Sequence, residues 1–186
     1  MRIIAGTYRS RVLAAPPGMA TRPTSDRLRE TLFNVLAPRM ESAAFLDLYA
    51  GSGAVGLEAL SRGAGSVTFV ERAQPALKAL RANLAALGIA SGFRVQAGSI
   101  APFLRNAGGN VFDVVFLDPP YDAETEYETV LGLLGGAAAG ALAPGAVVVA
   151  EHRRKRRLED AYGTLMRSRL LEQGDAALSF YAGSGR

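Results

Sequence analysis

The sequence has no cysteine and no tryptophan among its 186 residues, and it contains one histidine, His152. A chain without cysteine has neither disulfides nor thiolate metal ligands, and one imidazole does not make a zinc or iron site, so we expect no metal. It also lacks an apolar run long enough to cross a membrane and the apolar N-terminal core of a signal peptide. These absences predict a cytoplasmic protein without metal chemistry.

Positive charge is concentrated near the N-terminus. The formal net charge is +4, yet residues 1–40 carry seven arginines against only two acidic residues, and the rest of the chain has a net charge of −1. Arginine binds two phosphate oxygens through its planar fork, so this bias predicts contact with a nucleic acid, the alternative being a solvated surface. The candidate substrate-binding arginines are Arg9, Arg11, Arg22 and Arg29.

Residues 111–121, Val-Phe-Asp-Val-Val-Phe-Leu-Asp-Pro-Pro-Tyr, form an apolar run that ends at a carboxylate, two prolines and an aromatic ring. A continuous apolar run is typical of a central strand in a parallel sheet covered on both faces. Asp118 then emerges at the carboxyl end of the strand, where open α/β sheets bind ligands. Pro119 and Pro120 stiffen the turn, and Tyr121 offers a flat ring. Together they suit a nucleobase with an exocyclic amino group.

The tetrapeptide Asp118-Pro119-Pro120-Tyr121 resembles the catalytic motif of S-adenosylmethionine-dependent amino-methyltransferases, which modify adenine N6, cytosine N4 or guanine N2. On this resemblance the candidate catalytic residues are Asp118, Pro119 and Tyr121, and Pro120 and Tyr121 also contact the base. The alternative is that the prolines merely end the strand and Asp118 caps the next helix. The resemblance further requires a methyl-donor site elsewhere in the same sheet.

A glycine loop, Gly51-Ser52-Gly53-Ala54-Val55-Gly56, follows the predicted strand Phe45–Tyr49 and opens a predicted helix. Its glycines let the backbone approach a ligand, and the helix N-terminus offers free N–H groups. The spacing also matches a dinucleotide fingerprint, but Asp47 would repel a pyrophosphate and attract the amino group of S-adenosylmethionine. Glu71 ends the next strand, where a ribose diol needs an acceptor. The candidate cofactor-binding residues are Asp47, Tyr49, Gly51, Ser52, Gly53, Glu71, Arg72, Ser99, Ile100 and Thr24.

Hydrophobic periodicity predicts the remaining elements. A small hairpin precedes a helix near residues 25–37, in which Leu28, Leu32, Phe33 and Leu36 form an apolar stripe and the arginines stay outside. Further strands are predicted at 66–70, 93–96 and 146–150, helices near 75–87 and 124–134, and an antiparallel hairpin at 164–182. The Gly/Ala-rich stretch between the helix near 124–134 and Gly145 is predicted to be flexible. We expect a basic N-terminal extension over 1–40 that binds RNA and a methyltransferase domain over 41–186.

Four segments together resemble one family. They are Arg2-Ile3-Ile4-Ala5-Gly6, Arg22-Pro23-Thr24-x-Asp26-Arg27-x-Arg29-Glu30 with Leu32-Phe33-Asn34, Asp47-x-Tyr49-Ala50-Gly51-Ser52-Gly53, and Asp118-Pro119-Pro120-Tyr121. Over nearly its whole length the chain is similar to the bacterial 16S ribosomal RNA guanine-N2 methyltransferases, which are class I S-adenosylmethionine-dependent enzymes. The family fold is a Rossmann-like, doubly wound, seven-stranded and mostly parallel α/β sheet with a terminal antiparallel hairpin.

The resemblance implies a methyl transfer from S-adenosyl-L-methionine to N2 of one guanine, position 966 in the RNA numbering. It implies 16S ribosomal RNA as the partner, either naked or within an assembling small subunit, and we expect a monomer. One departure concerns Ser99, because many class I enzymes have an acidic residue there for the adenine amino group. A hydroxyl is a weaker partner than a carboxylate.

Two other functions share parts of this pattern. A DNA amino-methyltransferase has both motifs but commonly adds a larger target-recognition region, and a non-catalytic nucleotide-binding module would keep only the glycine loop. The run Arg153-Arg154-Lys155-Arg156-Arg157 is either a solvated turn or an RNA contact. His152, at the end of a predicted strand, is expected to be structural.

Overall fold

The computed structural model describes residues 1–16, 25–107, 109, 111–120, 123 and 125–183. It has two compact units, Met1–Gly98 and Ser99–Arg186. The helices α1 to α5 are Asp26–Leu36, Ala54–Ser61, Gln74–Ala86, Ile100–Arg105 and Glu126–Leu134. The strands β1 to β8 are Ala44–Leu48, Ser66–Glu71, Phe93–Ala97, Phe112–Leu117, Leu142–Arg153, Ala161–Tyr162, Leu165–Gln173 and Ala176–Gly183.

The first unit contains three parallel strands in the order β3-β2-β1. Phe45 pairs with Val67, which in turn pairs with Phe93. Four of the five residues of β1 are buried, as expected for a parallel strand covered on both faces. Since the strands are parallel, the glycine loop after β1 and Glu71 at the end of β2 leave the sheet at the same edge.

Helix α1 confirms the apolar stripe predicted from the sequence. The Ser25 side chain accepts a hydrogen bond from the Leu28 amide at 3.1 Å and so caps the first turn. The four apolar side chains of the predicted stripe are buried, namely Leu28, Leu32, Phe33 and Leu36. Phe33 stacks on Phe45 of β1 with ring centroids 6.3 Å apart, which docks the helix on the sheet.

The expectation that Arg29 stays exposed on α1 is wrong. Its side chain is fully buried, and it forms ion pairs with Asp26 at 2.9 Å and with the buried Glu58 of α2 at 3.7 Å. Arg29 precedes Phe33 by four residues, so it lies on the same face of the helix as the apolar stripe. A buried arginine in this position is a structural residue and not a phosphate contact.

The N-terminal segment makes a narrow turn that is held against α2. Arg2 and Val12 form an isolated antiparallel bridge, a shorter pairing than the predicted hairpin. The Glu58 carboxylate accepts from the amides of Ile4 at 2.8 Å and Ala5 at 3.0 Å. Gly6 has a φ of +84°, and a Cβ there would lie 1.7 Å from the Ser61 carbonyl oxygen. The chain therefore approaches α2 as closely as glycine permits.

Strands β4 to β8 belong to the second unit and have the order β4-β5-β8-β7-β6. Strands β4 and β5 are parallel, with Leu117 opposite Ala150, whereas β5 and β8 are antiparallel. Strands β7 and β8 confirm the predicted terminal hairpin. The fold is therefore mixed α/β, and the sheet of this unit is parallel between β4 and β5 and antiparallel in its C-terminal strands.

Two details of this unit differ from the sequence prediction. The described residues form eight strands instead of seven, because Ala161 and Tyr162 pair with β7 as a two-residue strand too short to leave a periodic pattern. Strand β5 begins at Leu142, where a flexible stretch was expected, and passes through Gly145 at a φ of +74°. The register between β4 and β5 shifts at this point: Phe112 is opposite Leu142, whereas Val114 is opposite Val147.

Residues 1–16 and α1 lie in the same compact unit as β1 to β3. An RNA-binding extension that ends at residue 40 stays a prediction. In the part of the chain that the structure describes, no helix is both long and apolar enough to span a membrane.

Candidate functional site

The loop between β1 and α2 has an unusual backbone. Tyr49, Gly51 and Gly53 have φ values of 61°, 57° and 84°, in the left-handed region that favours glycine. The Ala50 amide donates to the Val70 carbonyl of β2 at 3.1 Å, and the Gly53 amide donates back to Ala50 at 2.7 Å. A Cβ on Gly53 would lie 2.3 Å from Leu80 Cδ1, whereas one on Gly51 would meet nothing closer than 4.0 Å. The loop is therefore tightly packed at Gly53 and has free space beside Gly51.

Glu71 holds this loop in place from the end of β2. Its Oε2 accepts from the Gly51 amide at 2.9 Å, and its Oε1 accepts from the amides of Arg72 at 2.8 Å and Ala73 at 2.7 Å. The Glu71 residue is half-buried, and each carboxylate oxygen has two lone pairs, so acceptor capacity remains for a hydroxyl group. Arg72 is exposed beside it.

Asp47 is a buried carboxylate beneath the same loop. Its residue is 2% exposed, and its Oδ2 accepts from the Gly56 amide at 2.9 Å in the first turn of α2. Burial raises the pKa of Asp47 to about 7, with a further contribution from the negative charge of Glu71, although the Gly56 hydrogen bond opposes the shift. Its charge near neutral pH is therefore sensitive to any cation that approaches.

Asn83 is a residue of this site that the sequence analysis missed, since no site residue was assigned to the predicted helix near 75–87. Its buried side chain donates from Nδ2 to the Ser52 carbonyl at 3.0 Å. The same amide pairs with both main-chain groups of Ala14, accepting from its N–H at 2.8 Å and donating to its carbonyl at 3.1 Å. An asparagine in an apolar helical pattern was the available signal.

Asp118 follows β4 directly, at the carboxyl end of that buried strand. It is half-buried, Pro119 is buried, and Pro120 is exposed. The Pro120 carbonyl accepts from the Ala123 amide at 2.9 Å. The structure therefore places a carboxylate on a short, constrained loop at the edge where ligands bind in α/β sheets.

The other candidate residues are distributed as follows. Ser99 is exposed at the N-cap of α4, and Ile100 is buried in its first turn. Arg9 and Arg11 are exposed, and Arg11 donates to the Ala86 carbonyl at 3.0 Å. Three of the predicted site residues lie outside the described residues, namely Arg22, Thr24 and Tyr121.

His152 has the structural role expected for it. It is buried at the end of β5, its Nε2 lies 2.8 Å from Ser179 Oγ, and its Nδ1 lies 2.9 Å from the Arg153 carbonyl. Burial lowers the pKa of His152. Within the described ranges, no cluster of three or more histidine, aspartate or glutamate side chains could hold a metal ion.

Comparison with known proteins places this geometry in a family. The family model described as "Conserved hypothetical protein 95" matches residues 1–182. The chain belongs to this family. The match includes the N-terminal segment, both glycine-loop and Asp-Pro-Pro segments, and the terminal hairpin.

Relatives of this family member carry methyltransferase names. It is 34% identical to the "Putative rRNA methyltransferase YlbH" of Bacillus subtilis, with 100% of both chains covered. It is 45% identical to the "Ribosomal RNA small subunit methyltransferase D" of Escherichia coli over 70% of this chain and 65% of that protein. A solved structure, "Putative methyltransferase yhhF from Escherichia coli", is 37% identical with a TM-score of 0.85, covering 100% of this chain and 99% of that one. The fold of this family member is thus a methyltransferase fold.

Proposed function

We propose that this protein transfers a methyl group from S-adenosyl-L-methionine to the exocyclic N2 of a guanine in 16S ribosomal RNA. The observation that carries the proposal is Asp118 at the end of β4, on a turn constrained by Pro119 and Pro120. The names of the relatives support an rRNA substrate, since one of them covers the whole chain. Guanine 966 as the target comes from the sequence resemblance.

The glycine loop and its neighbours suit the cofactor. Glu71 Oε2 keeps one lone pair for a hydroxyl of the ribose, next to the open space at Gly51. Asp47 is buried below the loop, and the positive amino group of the cofactor would favour its charged form. A bound S-adenosylmethionine supplies an electrophilic methyl group on a sulfonium. We assign Tyr49, Ser52, Gly53, Arg72, Thr24, Ser99 and Ile100 as further contacts.

Asp118 and the Pro119 carbonyl orient the guanine amine. The N2 lone pair is delocalised into the purine ring, so the amine is a weak nucleophile. Two acceptors that take its N–H bonds turn the lone pair toward the methyl group and stabilise the positive charge that develops on nitrogen. Tyr121 stacks on the base in this proposal.

The proton leaves N2 after the methyl group has been transferred. The methylated amine is a strong acid at that stage, so Asp118 accepts the proton without being a strong base. The proposal therefore needs no histidine, which agrees with the burial of His152 away from solvent.

The test is methyl transfer by the purified protein with labelled S-adenosylmethionine. The substrates are unmodified 16S rRNA, assembled small subunits and duplex DNA, and mass spectrometry of nuclease digests locates the modified nucleotide. We expect N2-methylguanosine at one position of the rRNA. Exclusive modification of adenine or cytosine in DNA would instead identify a DNA amino-methyltransferase and refute the proposal.

A pair of variants connects the activity to the site. Asp118→Ala removes the proposed acceptor, whereas Asp113→Ala removes an exposed carboxylate of the same strand. We expect the first to reduce turnover by about 100-fold or more while S-adenosylmethionine still binds, and the second to keep wild-type turnover. Equal turnover in both variants would remove Asp118 from the mechanism.

A further inference from the structure

We propose that the turn formed by Arg153, Arg154, Lys155, Arg156 and Arg157, here called the basic turn, is a phosphate-binding surface for the RNA substrate. This proposal deepens the proposed function and rests on it for the identity of the RNA. It adds a contact surface in the second unit to the basic N-terminal segment of the first.

The basic turn leaves the sheet at the same edge as Asp118. Strands β4 and β5 are parallel, and Leu117 is opposite Ala150, so Asp118 is level with Glu151. Arg153 is two residues further along β5, which corresponds to about 7 Å along a strand, and neighbouring strands are about 5 Å apart. A base that reaches Asp118 therefore brings its own backbone phosphates within range of arginine and lysine side chains on this turn.

The shape of the turn is fixed by one of its own arginines. The Arg156 guanidinium lies 4.6 Å from the ring centroid of Tyr127, and its Nη2 donates to Glu128 at 3.1 Å and 3.3 Å. The Arg156 amide closes the turn on the Arg153 carbonyl at 2.9 Å. Tyr127 is itself buried and donates through its hydroxyl to the Glu151 carbonyl at 2.9 Å.

The second anchor comes from the terminal hairpin. The Arg154 amide donates to the Asp175 carbonyl at 2.8 Å, in the tight turn between β7 and β8. With both anchors in place, the side chains of four members of the basic turn remain exposed, namely Arg153, Arg154, Lys155 and Arg157. A preorganised turn loses less conformational entropy when it binds a ligand than a flexible basic segment does.

The charge of the turn favours a polyanion. Glu128 compensates Arg156, and Asp160 compensates the neighbouring Arg167, so these acidic groups are already paired with other cations. Glu159 and Asp175 are exposed nearby and offset part of the remaining positive charge. Phosphate is the anion expected at this edge, because the acceptor base of the proposed function arrives there with phosphates on either side.

The test is RNA binding by the full-length protein without a methyl donor. The turn variant is Arg154→Ala/Lys155→Ala/Arg157→Ala, which spares the structural Arg156. The control variant, Lys78→Ala/Arg81→Ala/Arg94→Ala, removes the same charge from exposed positions of α3 and β3. Dissociation constants for transcribed 16S rRNA are measured at several salt concentrations, with polyglutamate as a second probe and thermal unfolding as a check of folding.

We expect the turn variant to bind the RNA about tenfold more weakly, with a salt slope lower by about 0.7 for each lost contact. The control variant is expected to keep the wild-type slope. An unchanged affinity and slope in the turn variant overturns the proposal, and so does an equal loss for polyglutamate, which would indicate an acidic protein as the partner. Because no methyl donor is present, a binding loss supports the basic turn even if methylation is found on another substrate.

Discussion

The Asn83 side chain donates to the Ser52 carbonyl of the glycine loop at 3.0 Å, and it pairs at the same time with the main chain of Ala14. One buried amide therefore connects the proposed cofactor loop to the N-terminal segment just before residues 17–24. Only an amide has the donors and the acceptor that these three bonds need.

We predict that Asn83→Asp weakens cofactor binding. A carboxylate of the same shape cannot donate, so the carbonyls of Ala14 and Ser52 would face a negative charge in a buried place. Calorimetry with S-adenosylhomocysteine should show an affinity about tenfold lower or more, and hydrogen exchange should accelerate at the amides of Ala14 and Gly53. Asn106→Asp is the control, since Asn106 is exposed and its side chain donates to the Pro102 carbonyl of its own helix. Equal affinities for the two variants would contradict this role.

The raised pKa of Asp47 predicts a pH-dependent stability. The native pKa is about 7, against an ordinary value of about 3.9 in the unfolded chain, so the native state binds more protons between these values. The contribution of this group to the free energy of unfolding is therefore complete below about pH 4 and is lost as the pH rises through 7.

The measurement is urea unfolding from pH 5 to pH 8, compared with Asp47→Asn. Other carboxylates titrate in both proteins, so the difference between them isolates Asp47. The wild type should lose stability relative to the variant as the pH rises, by about 1.4 kcal/mol for each pH unit at most. A difference that does not change with pH would show that Asp47 is ionised throughout this range.

The sequence was sufficient for the elements whose signals are local. The apolar run before Asp118 is a buried strand, the leucines at four-residue spacing are buried in α1, and the hairpin predicted at 164–182 is formed by β7 and β8. Each of these features depends on residues within a few positions of one another, where capping, periodicity and turn chemistry act.

Long-range polar contacts were not predictable in the same way. Asn83 bonds to residues 31 and 69 positions away, and nothing in its own helix indicates those partners. Arg29 carries the same charge as its neighbour Arg27, which is exposed, and one of the two carboxylates that pair with the buried Arg29, Glu58, lies on another helix. A helical pattern predicts on which face of the helix a side chain lies. To predict a buried ion pair, one must also know which residues of other elements pack against that face.

We predict that Arg29→Met destabilises the protein without acting on RNA directly. Glu58 keeps Arg62 at 2.7 Å and two amide donors, but it loses the partially compensating charge of Arg29, and Asp26 loses its closest ion pair. Removing one partner of a buried pair costs about 3 kcal/mol, whereas Arg27→Met on the exposed side should stay within about 0.5 kcal/mol of wild type. Urea unfolding measures both. The Arg29→Met prediction fails if the two variants are equally stable.

We predict that Arg9 and Arg11 contribute RNA contacts. With Arg29 buried, these two are the exposed arginines of the predicted group among the described residues, and Arg22 lies outside that part of the chain. Phosphate contacts orient a substrate without reading its sequence, so Arg9→Ala should weaken RNA binding and lower the salt slope by about 0.7. Arg11→Ala should do the same and also loosen the segment, because Arg11 donates to the Ala86 carbonyl of α3. Cofactor affinity should not change in Arg9→Ala.

The double variant Arg9→Ala/Arg11→Ala separates the N-terminal segment from the basic turn. The double variant is combined with the turn variant Arg154→Ala/Lys155→Ala/Arg157→Ala. If the N-terminal segment and the basic turn bind phosphates independently, the losses in RNA-binding free energy of the two variants should add. Filter binding of 16S rRNA over a range of salt concentrations measures each step. If the double variant keeps the wild-type slope, the N-terminal arginines serve only as a solvated surface, and the RNA contacts must come from the second unit.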